Sequence, residues 1–210
     1  MRLPPLRSLL SVLAAALALA ACFGDPAGPT EFPSGSVRFL YVPVDSAGTA
    51  LTADSVAFAA EGGVTTDNYF SGTYAFGLRS TTFEGDKAVR VYGQQAQATE
   101  GTYDGLLLFI ANPAVGTYTC TAATSPVNCR FAAAFTVGAS EDEITSRPTI
   151  RVSARAGTVV ITSVDGDRVR GTFSLLMRGQ VGEQTDALLR LSGGAFDVPI
   201  TSADSPSVPD

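Results

Sequence analysis

From Arg168 to Arg178 the side chains alternate with period two. Val169, Gly171, Phe173, Leu175 and Met177 fall on one face, and Arg168, Arg170, Thr172 and Ser174 on the other. Wound into an α-helix, those apolar residues would scatter around the whole circumference. Only a strand gathers them on one side, so the segment predicts a half-buried β-strand with one face on a core and one on water. The run before it, Gly157–Val164, has strand character too, and Gly166-Asp167 between them suits the centre of a type II′ hairpin turn, in which glycine takes the positive φ. That register places Val164 opposite Val169 and Val160 opposite Phe173.

Short apolar runs bounded by turn residues recur along the chain, and none sustains helical periodicity. Further strands are expected at Val37–Pro43, Ser55–Ala60, Phe70–Arg79, Ala88–Gln94, Gly105–Ala111, Thr117–Cys120, Cys129–Val137, Thr149–Ala154 and Ala187–Ile200. In the last of these, Leu189 and Leu191 lie on odd positions, but Phe196, Val198 and Ile200 lie on even ones. A β-bulge at Gly193-Gly194 would bring both sets to the same core. Pro199 cannot donate to a ladder, which puts the strand's end at a sheet edge or opening. The expected fold is a single all-β domain over 36–200, an antiparallel β-sandwich or partly closed barrel.

The N-terminal region is of a different kind. Arg2 and Arg7 precede an apolar run, Leu9–Ala20, that is shorter than the ~20 residues needed to span a bilayer. Its proportions are those of a signal-peptide core. The run closes in Leu19-Ala20-Ala21-Cys22, which resembles the lipobox of bacterial lipoproteins. The resemblance implies cleavage before Cys22 and acylation of that cysteine. Residues 1–21 are then a secretion signal, and membrane lipid is the partner of Cys22. An ordinary signal with an A-x-A-like cut is the alternative. Two or three acyl chains anchor a protein stably, and no later apolar run is long enough to cross. Phe23, where an aspartate often retains such lipoproteins in the inner membrane, implies sorting to the outer membrane. Residues 22–35, rich in Pro and Gly, have the composition of a tether, and 201–210 that of a disordered tail.

Three cysteines would leave an odd thiol in an oxidising compartment. Assigning Cys22 to lipid leaves Cys120 and Cys129, which flank a loop with turn chemistry. A disulfide between them is favoured over free thiols or half a metal site, because the chain has no histidine to complete a zinc shell. Were Tyr118–Cys120 and Cys129–Phe131 the arms of a hairpin, pairing the cysteines would also pair Tyr118 with Phe131.

The missing histidine removes Ser-His-Asp and Cys-His catalysis as well. Lys87, the only lysine, follows Glu84 and Asp86 in a polar turn, where it is solvated and unsuited to a Ser-Lys dyad. No nucleotide-binding glycine motif occurs. Losing Arg2 and Arg7 with the signal leaves 12 basic residues against 20 acids, a net charge near −8. Such a balance disfavours nucleic acid, which requires a basic footprint. The acidic run Glu141-Asp142-Glu143 lacks the spaced pattern of a Ca²⁺ loop. Phe70, Tyr74, Phe76 and Leu78 share one strand face, and core packing is the expected use of that stripe rather than a sugar platform.

Toward the C-terminus, Gly157-Thr-Val-Val-Ile-Thr162, Val169-Arg-Gly-Thr-Phe-Ser174 and Gly194-Ala-Phe-Asp-Val-Pro199 follow one another. That order is similar to the final strands of uncharacterised β-rich bacterial lipoproteins. Asn112-Pro-Ala-Val-Gly-Thr-Tyr118 resembles their turn before a strand, with Val115 in place of a proline. The resemblance implies a lipoprotein β-domain and brings no active site, cofactor or metal. Two functions are therefore expected to compete. One is a non-enzymatic interaction or display module meeting an envelope protein partner. The other is a calycin-like carrier holding a small apolar ligand in a barrel interior.

Overall fold

The computed structural model describes residues 33–64, 72–81, 87–99, 101–121, 129–140 and 149–201. These residues form ten strands and no helix: β1 (Gly35–Val44), β2 (Val56–Gly62), β3 (Tyr74–Thr81), β4 (Lys87–Ala96), β5 (Thr102–Ala111), β6 (Gly116–Cys120), β7 (Phe131–Ser140), β8 (Ile150–Asp165), β9 (Arg168–Val181) and β10 (Gln184–Thr201). The expected strands map onto these with one exception. Thr149–Ala154 and Gly157–Val164 belong to a single strand, β8, whose register with β9 shifts between Ala154 and Ala156. Phe70 lies outside the described residues.

The protein is all-β, as the alternation requires. Strands β2, β1, β10, β9, β8 and β6 pair in that order, all antiparallel, and β3, β4, β5 and β7 form a second antiparallel run. The two runs join at both sides. Ile200 and Thr201 of β10 make a short parallel pairing with Gly77 and Leu78 of β3. Ala134–Val137 of β7 pair with the first residues of β8. The result is one ten-stranded sheet, partly ringed and folded into two facing layers, rather than a regular barrel.

Aromatic rings fill the space between the layers. Phe39 of β1 stacks on Phe58 of β2 with centroids 4.6 Å apart, and Phe135 from β7 meets both in edge-to-face contact, with centroids 5.1 Å from Phe39 and 5.8 Å from Phe58. Edge-to-face contacts of this kind add to the area that the rings bury. From β9, Phe173 joins the group 5.7 Å from Phe39.

The β9–β10 ladder shows why glycines alternate with these rings. Phe173 lies opposite Gly194, and Phe196 lies opposite Gly171. A Cβ on Gly194 would sit 2.5 Å from the Phe173 ring; one on Gly171 would sit 2.4 Å from the Phe196 ring and 2.3 Å from the Val160 carbonyl oxygen. Each phenylalanine thus lies over the glycine of its neighbour, a cross-strand pairing that fills what glycine leaves empty. The bulge expected at Gly193-Gly194 is present. The register with β9 shifts between Leu191 and Gly194, the β1 register shifts between Arg38 and Leu40, and Gly193 has φ +61°. Leu189, Leu191, Phe196 and Val198 consequently all lie in one core.

The β8–β9 turn has the expected form: Val164 opposes Val169, and Gly166 alone of the two central residues has positive φ. The pairing of Val160 with Phe173 is wrong, however. A second bulge shifts the register between Ile161 and Ser163, so Val159 opposes Phe173 and Val160 opposes Thr172. One inserted residue exchanges the faces of everything beyond it. Val159 and Ile161 enter the core, and Val160 is only half-buried. Pro199 sits at an opening, as its missing donor requires. Ile200 gives its N–H to Asp167 on the β9 side, so the proline nitrogen turns to the opposite edge. There the pairing with β1 has ended at Asp197 and that with β3 begins at Ile200.

Cys120 and Cys129 are joined in a disulfide, with their Cα atoms 5.6 Å apart. The hairpin expected around it does not form. β6 pairs with β8, Cys120 opposite Gly157, and β7 pairs with β5 and with the start of β8. Both strands run antiparallel to β8 along the same edge, one after the other, so they meet end to end. The disulfide spans that junction, where one layer hands over to the other. Long-range pairing with β8 outcompetes the local hairpin because it gives both strands a neighbour in the finished sheet.

Phe173→Ala should cost about 3–5 kcal/mol in chemical denaturation. Arg170→Ala, exposed on the opposite face of the same strand, should stay within about 1 kcal/mol. The reverse order would mean that the faces are inverted. Reduction of Cys120–Cys129 frees a short loop and should remove roughly 2–3 kcal/mol by the chain-entropy relation. An unchanged melting temperature after complete reduction would refute the staple.

Candidate functional site

Cys22 and the Glu141-Asp142-Glu143 run lie outside the described residues. Arg168 and Arg170 project from the outer face of β9 and are occupied there. Both bind the Asp197 carboxylate, and Arg170 also reaches Asp165 at 3.0 Å. Partial burial pushes the Asp197 pKa up, but the hydrogen bonds and charges of the two guanidiniums outweigh it and hold the group below its ordinary value. This is a surface brace across the β8–β9–β10 ladder.

The aromatic stripe of β3 is buried, as expected, but not in the main core. Ala75 faces inward, whereas Tyr74 and Phe76 form a second apolar cluster with Val64, Leu78 and Tyr92. Phe76 stacks on Tyr92 at 4.9 Å, and the Tyr74 hydroxyl donates to Gln94 Oε1 at 2.9 Å. The sheet β3–β4–β5–β7 is therefore apolar on both faces at this end of β3 and β4.

A cleft of about 460 Å³ opens at one end of the layers. Ala88, Val89, Pro113, Val164 and Ile200 supply apolar wall, and Arg79, Ser80, Lys87 and Asn112 supply its polar groups. Its size falls among ordinary ligand pockets, roughly 300–1,000 Å³. Arg79 and Lys87 arrive there through strand parity. Arg79 opposes Val89 and Lys87 opposes Thr81, so the two cations are diagonal neighbours on the inward face, typically about 7–8 Å apart between backbones. They occupy the positions that continue Ala75 and Gly77 on β3 and Val89 and Val91 on β4. From those positions to Gly93, every residue deeper on that face is apolar or glycine, with Gln95 closing the series at the far end of β4.

The cleft wall is held by its own bonds. Asn112, with φ +47°, donates its N–H to the Lys87 carbonyl at 2.7 Å and accepts from Arg130 at 2.7 Å through its own carbonyl. The Tyr118 hydroxyl bonds the backbone of Ala114 at 2.8 Å, as the tyrosine of a tyrosine corner does, and Arg130 lies over its ring at 4.7 Å. Asn112 and Pro113, which open the Asn112–Tyr118 motif, thus stand in the cleft wall. Arg79 donates to the Gly166 carbonyl across the opening. Among the described residues neither Arg79 nor Lys87 makes an ion pair, whereas Arg168, Arg170 and Arg178 each do. Sequence reasoning placed Lys87 in a solvated turn and passed over Arg79. The signal it could have used is their odd numbering, in step with the inward residues of their strands.

At the other end of β5 a carboxylate is buried. Asp104 occupies the bulge where the β5–β7 register shifts between Tyr103 and Gly105, and its Oδ1 accepts the Gly138 N–H at 3.0 Å. Burial raises its pKa, with hydrogen bonds from Gly138 and Gln97 opposing in part. Tyr41 is pushed up from its ordinary 10.0 to about 12 by its own burial and by the Asp104 charge. The Gly138 bond accounts for this acid as a bulge cap. Among the described residues no three His, Cys, Asp or Glu side chains come together as metal ligands would.

No protein family, curated protein or solved structure matches this chain. The functional reading accordingly rests on its own residues.

The Asp104 environment has a measurable consequence. With its folded pKa above the unfolded value of about 3.9, Asp104 stabilises the folded state at low pH. That contribution is lost as pH rises through the raised value. Asp104→Asn keeps an oxygen for Gly138 and carries no charge. Its urea midpoint should exceed that of the native chain at pH 7, and the gap should shrink toward pH 4. A lower midpoint at pH 7 would show that the charge itself stabilises the bulge.

Proposed function

We propose that this chain is an envelope lipoprotein, anchored through acylated Cys22 and sorted to the outer membrane, whose β-domain is a non-enzymatic binding module. The anchoring half is supported by Leu19-Ala20-Ala21-Cys22 at the end of a short apolar run. The binding half is carried by one observation. Phe39, Phe58, Phe135 and Phe173 occupy the interior, while a ligand-sized cleft at its mouth holds two cations unused in ion pairs. A carrier would need a void where those rings meet, so recognition belongs to the surface.

Expression of Cys22→Ser in a bacterial host tests the anchor. The variant should lose acylation and leave the membrane fraction, with its signal uncut or cut elsewhere. An unchanged membrane-bound mature form from that variant would defeat the lipoprotein reading.

A further inference from the structure

We infer that the Arg79–Lys87 cleft binds an anionic phosphate group that carries an apolar chain. The inference deepens the binding-module reading and rests on it, but its test does not depend on acylation.

Four observations carry it. The chain has more acids than bases, yet among the described residues the polar lining of this cleft is cationic or neutral, with no carboxylate. Lys87, the only lysine, spends its ammonium on no described partner, and Arg79 binds only a neutral carbonyl. Two like charges that are diagonal neighbours repel one another, and an anion between them removes that cost. Finally, the rest of the lining is aliphatic. Val89 and Ile200 are nearly buried, and Val164 is 37% exposed, one of the few large apolar side chains left so open. An inorganic anion would leave that surface wet, whereas an alkyl chain covers it.

Charges are screened beyond about 8–10 Å, so the acidic remainder of the domain does not prevent close-range binding of one phosphate.

The test uses the mature-length chain from residue 22 with Cys22→Ser, titrated with hexyl phosphate, with inorganic phosphate and with phosphatidylcholine vesicles with or without phosphatidylglycerol. Hexyl phosphate should bind saturably and inorganic phosphate about tenfold more weakly. Lys87→Gln, which breaks no described side-chain bond, should weaken hexyl phosphate binding about tenfold. Arg190→Gln, the same charge change on β10 where Arg190 bonds Gly48, should leave it unchanged. Binding of phosphatidylglycerol vesicles that Lys87→Gln abolishes would assign the phosphate to membrane lipid. Binding of hexyl phosphate alone would assign it to a soluble amphiphile, and either result upholds the site. Absence of saturable hexyl phosphate binding, or equal losses in Lys87→Gln and Arg190→Gln, overturns it. Failure of the anchor reading would appear separately, as an unchanged membrane fraction of Cys22→Ser.

Discussion

The crossed pairing of Phe173 over Gly194 and Phe196 over Gly171 is the constraint on which the rest of the structure depends. β9 and β10 are long strands that serve both the ring and the two-layer core. Their inner face must carry large rings to fill the space between layers, yet adjacent rings directly opposite one another would overfill it. Alternating ring and glycine across the ladder resolves the conflict at native packing density. The bulge at Gly193 then turns the second half of β10 so that Phe196 and Val198 face the same core as Leu189 and Leu191. Without that turn, the strand would bury half of its apolar residues and expose the rest.

Given those strands, the two sides of the sheet close differently. On one side β10 leaves β1 and meets β3, and Pro199 stands where neither neighbour needs an N–H. On the other, β8 passes from β6 to β7, and the Cys120–Cys129 bridge ties the two ends that share its edge. A proline marks one junction and a disulfide the other. Both suit a place where ladder hydrogen bonding is interrupted, the first by requiring no donor and the second by substituting a covalent tie.

With rings filling the interior, the cleft lies at the open end, where the inward face of β3 and β4 runs out of partners. The residues there continue the inward series of their strands but meet solvent instead of the opposite layer. That is how Arg79 and Lys87 come to stand beside Val89 and Ile200. The same end gathers the β8–β9 turn and Asn112 and Pro113, whose segment is held by hydrogen bonds from Arg130 and Tyr118.

How much of this was legible in the chain depends on the range of the interaction. Period-two alternation is a local signal, so the strands, the Gly166 turn and the Gly193 bulge could be read directly, as could the inward face of β9. The Cys120–Cys129 pair followed from counting thiols. Other features depended on competition between distant segments. The bulge beyond Ile161 carries no glycine to betray it and defeated the Val160 register. The pairing of β6 and β7 with β8 replaced a plausible local hairpin, because the sequence around the cysteines does not contain the partner that wins. The cleft was hidden for the same reason. Two basic residues on neighbouring strands come to line one cleft only once the sheet folds back on itself and decides which inward positions are covered and which stay open. Local periodicity determined what each strand buries, and only the closure of the layers decided where burial stops.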